Sequence, residues 1–330
     1  MNSKTAGRCS RRGQGGLLLS VLLVLFMAPW STALANHDSA RLDFSVRFGE
    51  DINPYRVIGV YLMPGESLEF AISRGHSSRY HIEDPSGLTR ATGQNRWTLQ
   101  APRSHGLHPI QIVRLDSGET MNLNVFVKMP RRDKRNGRLN GYRVGNYPRE
   151  PLRGMDIYQP PPGFIEVTPE TADALVSPHF RLGQFVSKQG GEYPRYVVLR
   201  PRLLLLLEAI LEELRAEGLP VATLEVMSGF RTPWYNGHIG NSQYSRHVWG
   251  GAADIYIDQR APHGRMDDLN GDGRSDVNDA RWLAAVVDRL QRRSGPQNFM
   301  GGIGIYGPRP HRGPFVHVDV RGFEARWEFE

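Results

Sequence analysis

From residue 41 the chain runs in short segments where apolar and polar residues alternate, at 41–48, 57–63, 67–72, 110–115 and 122–127. A period of two is the signature of strands with one face in a core. Turn signals such as Pro64-Gly65 and Asp84-Pro85-Ser86-Gly87 separate these runs. The pattern predicts an all-β, antiparallel sandwich domain over residues 36–128. Residues 129–150 open with the charged stretch 129–138 and read as a solvated basic linker. A second domain then spans residues 151–330, and there the period changes. Residues 202–215 carry five consecutive leucines in a helical segment closed by Gly218 and Pro220. Glu208, Glu212 and Glu213 make this a core helix rather than a membrane span. Residues 224–227 and 252–257 read as buried strands, and 280–290 has a helical apolar stripe. In the last run Val316, Val318 and Val320 share one strand face, while Phe315, His317 and Asp319 share the other. These elements predict an α+β domain with a small antiparallel sheet.

The chemistry concentrates on that sheet. Ser245-Arg246-His247-Val248-Trp249-Gly250-Gly251-Ala252-Ala253-Asp254 places an imidazole on a turn, a glycine pair to reverse the backbone, and a carboxylate at the start of a buried strand. With His247, Asp254 and His317 the chain offers two imidazoles and one carboxylate on short rigid elements. That is a three-ligand zinc site with one position left for water, the usual composition of catalytic zinc.

The pattern S-x-H-x-x-G-x-A-x-D, preceded by Ser228-Gly229-Phe230-Arg231-Thr232 and followed by a late H-x-D strand, resembles the zinc D-Ala-D-Ala carboxypeptidases of peptidase family M15. The resemblance covers roughly residues 150–330. It implies zinc on His247, Asp254 and His317, with Arg231 stabilising an oxyanion or anchoring a substrate carboxylate. It further implies a secreted zinc metallopeptidase that hydrolyses peptide bonds in peptidoglycan stem peptides, as a D,D-carboxypeptidase or an endopeptidase. Many members carry a proton-accepting residue two or three positions before the last ligand; here those positions are Phe315 and Pro314. Asp319, His311 and His238 are the alternatives for a general base, and Asp319 suits an orienting role equally. Trp249, Tyr235 and Tyr244 are candidates to line the groove. The missing acid motivates a second reading, a cell-wall binding or scaffold protein with a zinc fold and weak or no hydrolysis.

A second metal signal lies at residues 268–279. Asp268, Asn270, Asp272, Asp276 and Asp279 fall at positions 1, 3, 5, 9 and 12 of a calcium loop, Arg274 offers its carbonyl at position 7, and Gly273 takes the sharp turn at position 6. Position 12 is Asp rather than Glu, no second loop accompanies it, and no helix enters it. It reads as a solitary, dockerin-like EF-hand loop whose Ca²⁺ braces an insertion in the catalytic domain.

Residues 1–35 read as a signal peptide: a basic start (Lys4, Arg8, Arg11, Arg12), an apolar core at 17–27 too short to span a membrane comfortably, and the cleavage site Ala33-Leu34-Ala35. They predict secretion, to a periplasm. Their removal takes away the only cysteine, Cys9, which excludes a disulfide or a thiolate ligand in the mature chain. It also removes four basic residues, leaving 37 basic against 34 acidic. That balance gives no electrostatic footprint for nucleic acid. The expected ligand is a peptidoglycan peptide, and the β-domain is free to engage the cell wall or a protein partner.

Overall fold

In the computed structural model the described residues are 40–75, 77–260, 262–293 and 299–329; the expected signal segment lies outside them. They form a mixed α/β structure made mostly of strands, with four α-helices, α1 (Pro169–Ala172), α2 (Pro201–Ala216), α3 (Pro233–His238) and α4 (Val277–Arg292). None of these helices is long and apolar enough to cross a membrane.

The N-terminal sandwich follows from the alternation. One sheet holds β1 (Arg41–Phe48), β2 (Asp51–Tyr55), β4 (Ser67–Arg74), β6 (Thr89–Gly93) and β7 (Arg96–Gln100) in the order β2-β1-β4-β7-β6. The other holds β3 (Val57–Leu62), β5 (Tyr80–Glu83), β8 (Gly106–Arg114) and β9 (Thr120–Val127) in the order β3-β9-β8-β5. Phe44, Val46, Phe70 and Leu99 of the first sheet meet Ile58, Val60, Ile112 and Leu123 of the second in one core. The pairing departs from a purely antiparallel sandwich at one place, where β3 and β9 run parallel. The chain passes from one sheet to the other at Arg56, between β2 and β3, and so enters the second sheet beside its last strand in the same direction.

Residues 129–150 divide by chemistry. Arg131, Arg132, Arg135 and Arg138 are exposed, whereas Leu139, Tyr142 and Val144 are buried in the second core. That core is organised by α2 (Pro201–Ala216), which starts on Pro201 and is apolar on nearly every side. Such a helix must be enclosed. Its leucines share the core with Tyr55 and Phe126 of the sandwich, and Arg202 reaches Asp51 of β2 at 2.8 Å. The described residues accordingly all belong to one compact unit.

The site is carried by a five-stranded sheet of β10 (Glu225–Ser228), β11 (Ala252–Tyr256), β12 (Gly302–Tyr306), β13 (Phe315–Asp319) and β14 (Ala325–Phe329), in the order β10-β11-β13-β12-β14. All pairs are antiparallel except β12 with β14. Ala253, Ile255, Val316 and Val318 point into the core shared with α2 and α4 (Val277–Arg292). The opposite face carries Asp254, His317 and Asp319.

Candidate metal centre

Three local structures bring the donors together. His247 sits in a 3-10 turn, Arg246–Trp249, that ends on Gly250 at φ 64°. A Cβ at Gly250 would stand 2.1 Å from the Val198 carbonyl oxygen, so only glycine fits this turn. Asp254 of β11 is the direct cross-strand partner of His317 of β13. Facing residues of an antiparallel pair have Cβ atoms about 4.5–5.5 Å apart, which brings their side chains into contact.

The result is a near-equilateral triangle of donor atoms. His247 Nε2 lies 3.1 Å from Asp254 Oδ1 and 3.1 Å from His317 Nδ1, and His317 Nδ1 lies 2.9 Å from Asp254 Oδ1. All three residues are buried. The remaining ring nitrogens are fixed by acceptors. His247 Nδ1 donates to the Gly229 carbonyl at 2.6 Å, and His317 Nε2 donates to Asp319 Oδ2 at 3.1 Å. In the neutral imidazoles this leaves two bare nitrogens and a carboxylate oxygen facing one another with no proton among them. Three buried lone pairs in mutual contact repel, and a cation at their centre removes the repulsion. Bonds of about 2.0–2.2 Å from a tetrahedral ion place its donors about 3.3–3.6 Å apart, a few tenths of an ångström wider than the spacing found. The group could therefore hold a metal ion.

Electrostatics support the donor states. Burial lowers the pKa of His247 and keeps it neutral. Asp254 is held well below the usual carboxylate range: burial opposes this, but His247 and Arg231 outweigh it. His317 moves the other way. Burial pushes it down, yet its bonds to Asp254 and Asp319 win and raise it, so it is the group that takes up a proton when no cation is present.

Asp319 is fully buried behind His317, not in the cavity. Besides His317 it accepts from Arg321 Nη2 at 2.5 Å and from the Gly302 N–H at 2.9 Å. Arg231 donates through Nε to Ser228 Oγ at 2.8 Å and through Nη2 to Asp254 Oδ2, so it grips the carboxylate from outside the triangle. Above the donors opens a cavity of about 500 Å³. Arg231, Arg246, Arg312 and Arg321 give its wall four cations, and Tyr244, Tyr306, Phe315 and Trp327 give it an aromatic surface. Asp254 is the only carboxylate among the described residues that line it.

No protein-family model and no curated protein matches this chain. The reading of the centre therefore rests on its geometry.

Of the other candidates, Tyr244 lines the cavity, while Trp249 lies buried beneath it and Tyr235 lies outside the wall. His238 is exposed and stacked on Trp234, and His311 is exposed; neither lines the cavity. The 268–279 loop folds around its own acids. Asp268 accepts N–H bonds from Gly271, Asp272 and Gly273, Asp272 accepts from Arg274, Asp276 caps α4, and buried Asp279 accepts from Leu269, Asn270 and Asp276. Its carboxylates are not among the groups of three whose donors lie within 4.8 Å of one another in the described residues; the second such group is Asp258, His263 and Asp267. Asp258 and Asp267 staple the loop after β11 by accepting backbone N–H bonds from Gly264 and Gln259.

Sequence reasoning missed Arg246, Arg312, Arg321 and Tyr306. Arg246 stands inside the motif at an unspecified position. Arg321 follows Asp319 by two residues, on the same side of the extended chain, and that period was the available signal.

Proposed function

We propose that this chain is a zinc metallopeptidase acting on peptidoglycan stem peptides, similar in its site to the M15 carboxypeptidases. The observation that carries the reading is the convergence of two imidazole nitrogens and one carboxylate oxygen at 2.9–3.1 Å beneath an open cavity. When bound there, zinc supplies a Lewis acid and a water acidified to a pKa of about 7. The protein's own groups prepare that chemistry. The Gly229 carbonyl and Asp319 fix both rings in the tautomers that face inward, and Arg231 holds Asp254 ionised and oriented. The aromatic wall shields the centre from solvent and offers a peptide a surface to lie on. Ca²⁺ on the 268–279 loop and export of the mature enzyme to the periplasm, expected from residues 1–35, are parts of the same proposal.

The test is metal content and product release on one preparation. Wild-type protein is expected to hold one zinc per chain and to release D-alanine or cleaved cross-links from purified muropeptides, while His247→Ala loses both with the sandwich still folded. Zinc-dependent cleavage retained in His247→Ala would sink the assignment. A second reading has its own support: no carboxylate or imidazole beyond the three donors lines the cavity among the described residues. In that case the chain is a cell-wall binding protein. Tight sacculus binding with no product across pH 5–9 would establish it.

A further inference from the structure

The register of the five-stranded sheet sets a phenol on the metal face. On β12, Gly304 pairs with His317 and Tyr306 with Phe315. Alternation along the strands then puts Tyr306 on the side that carries the donors, where it lines the cavity and is partly exposed. Its ring is clamped, stacked on Phe315 at 4.5 Å and against Phe329 of β14 at 5.3 Å. Gly304 makes room for Trp327, since a Cβ there would stand 2.4 Å from the indole nitrogen. The indole packs on the His317 ring at 5.1 Å, and its Nε1 donates to the Tyr306 hydroxyl at 3.0 Å. That hydroxyl is therefore one hydrogen bond from a ring in contact with a donor of the centre. An indole N–H can only donate, so the hydroxyl accepts there and its own proton points elsewhere. Among the described residues no acceptor takes that proton. Burial raises the pKa of Tyr306 and Asp254 adds to the rise, while the bond from Trp327 opposes it; the phenol keeps its proton. Arg231, the residue expected to stabilise an oxyanion, has Nε and Nη2 already committed to Ser228 and Asp254.

We propose that Tyr306 is a catalytic residue, the hydrogen-bond donor to the oxygen that turns negative when a peptide carbonyl is attacked. In that step a water oxygen bonds to the carbonyl carbon, a water proton leaves to solvent, and the C=O π pair moves onto the carbonyl oxygen. The phenol holds that oxygen and keeps its own proton. A clamped donor needs no reorganisation as the charge appears. The proposal rests on the peptidase reading for the identity of the reacting group. The test uses the zinc-loaded full chain and two non-hydrolysable analogues of D-alanyl-D-alanine, titrated by calorimetry. One is a phosphinate, with anionic oxygens on a tetrahedral centre; the other is a ketomethylene, with a planar carbonyl. Tyr306→Phe keeps the ring and loses the hydroxyl. It is expected to weaken the phosphinate about 10–100-fold and the ketomethylene less than about twofold, at unchanged zinc content. On muropeptides its kcat is expected to fall with KM unchanged. Trp327→Phe, which removes the N–H that aims the hydroxyl, is expected to weaken the phosphinate alone, and it decides the matter if Tyr306→Phe does not fold. Equal weakening of both analogues, loss of zinc, or a phosphinate affinity that both variants leave intact overturns the proposal. A wild-type kcat in Tyr306→Phe would refute the donor alone. Phosphinate binding lost in the variants, in a protein that hydrolyses nothing, would refute the peptidase reading alone.

Discussion

Replacing Asp319 by Asn tests whether the buried acid behind His317 sets the metal centre. The change keeps the shape of the side chain but gives one of its two oxygen positions to an NH₂ group. Both positions now face donors: Oδ1 accepts from Gly302 N at 2.9 Å and Arg321 N at 3.1 Å, and Oδ2 accepts from His317 Nε2 at 3.1 Å and Arg321 Nη2 at 2.5 Å. Neither amide orientation satisfies them, and Arg321 loses its counter-charge close to Arg246. Removing one partner of a buried charge pair costs about 3–5 kcal/mol. The ring of His317 is also freed to protonate on Nδ1, the atom that faces Asp254 and His247. Loss of such an orienting partner weakens metal binding by about 10–100-fold, or about 1.4–2.7 kcal/mol. Denaturant titration of the metal-free protein reads the first effect, and competition with a chromophoric zinc chelator reads the second. A folded variant whose zinc affinity stays within twofold of wild type would refute the orienting role.

Gly250→Ala meets both a left-handed φ of 64° and the Val198 carbonyl at 2.1 Å. It is expected to lose more than the about 1–2 kcal/mol of the backbone penalty alone, together with zinc binding; a wild-type urea midpoint would count against the turn as the device that places His247. Because the pKa of His317 is raised in the folded protein, its contribution to metal-free stability is fully present below the unfolded histidine value of about 6.5 and is lost as pH rises through the raised value. Zinc competes for the same nitrogen, so thermal melts at several pH values should show the stabilising increment of zinc growing as pH rises, and an increment independent of pH would contradict the assigned ligand atom. For the 268–279 loop, adding Ca²⁺ to chelator-treated protein is expected to raise the melting temperature, and Asp268→Ala is expected to remove that response; identical melts with and without Ca²⁺ would argue against an ion there.

What the sequence made legible was set by how each segment meets its surroundings. β1, β3, β4, β8 and β9 each bury a face and show it as alternation. β5 and β6, Tyr-His-Ile-Glu and Thr-Arg-Ala-Thr-Gly, lie on sheet edges with little or nothing buried and so carry no such pattern. The three donors were readable because glycine and small residues surround them for steric reasons visible in the chain: the turn needs Gly250, and the strand needs Ala253 against the core. The register that sets Asp254 opposite His317 was not readable, since it depends on how the chain between residues 256 and 315 returns to the sheet. Nor was the state of Arg231. The fold turns its forked edge to Asp254 and Ser228, a pairing with residues 23 and 3 positions away that no local pattern announces.

The charge of the cavity joins the two functional readings. Arg231 is balanced by Asp254 and Arg321 by Asp319, but among the described residues Arg246 and Arg312 bond only to backbone carbonyls and aromatic faces. The wall therefore carries excess positive charge before any metal ion adds to it. A field of that sign draws anions in and lowers the proton affinity of any acid held within it. For a hydrolase the second effect would ease loss of a bound water's proton to bulk solvent, where Pro314 and Phe315 supply no acceptor. For a binding protein the first effect suffices, because capture of a carboxylate requires no proton transfer. Salt weakens both effects through the same screening, so sensitivity to ionic strength is common to the two readings. Only the hydrolase adds a rate that rises with pH as the proton is lost, with no second limb from a carboxylate in the wall.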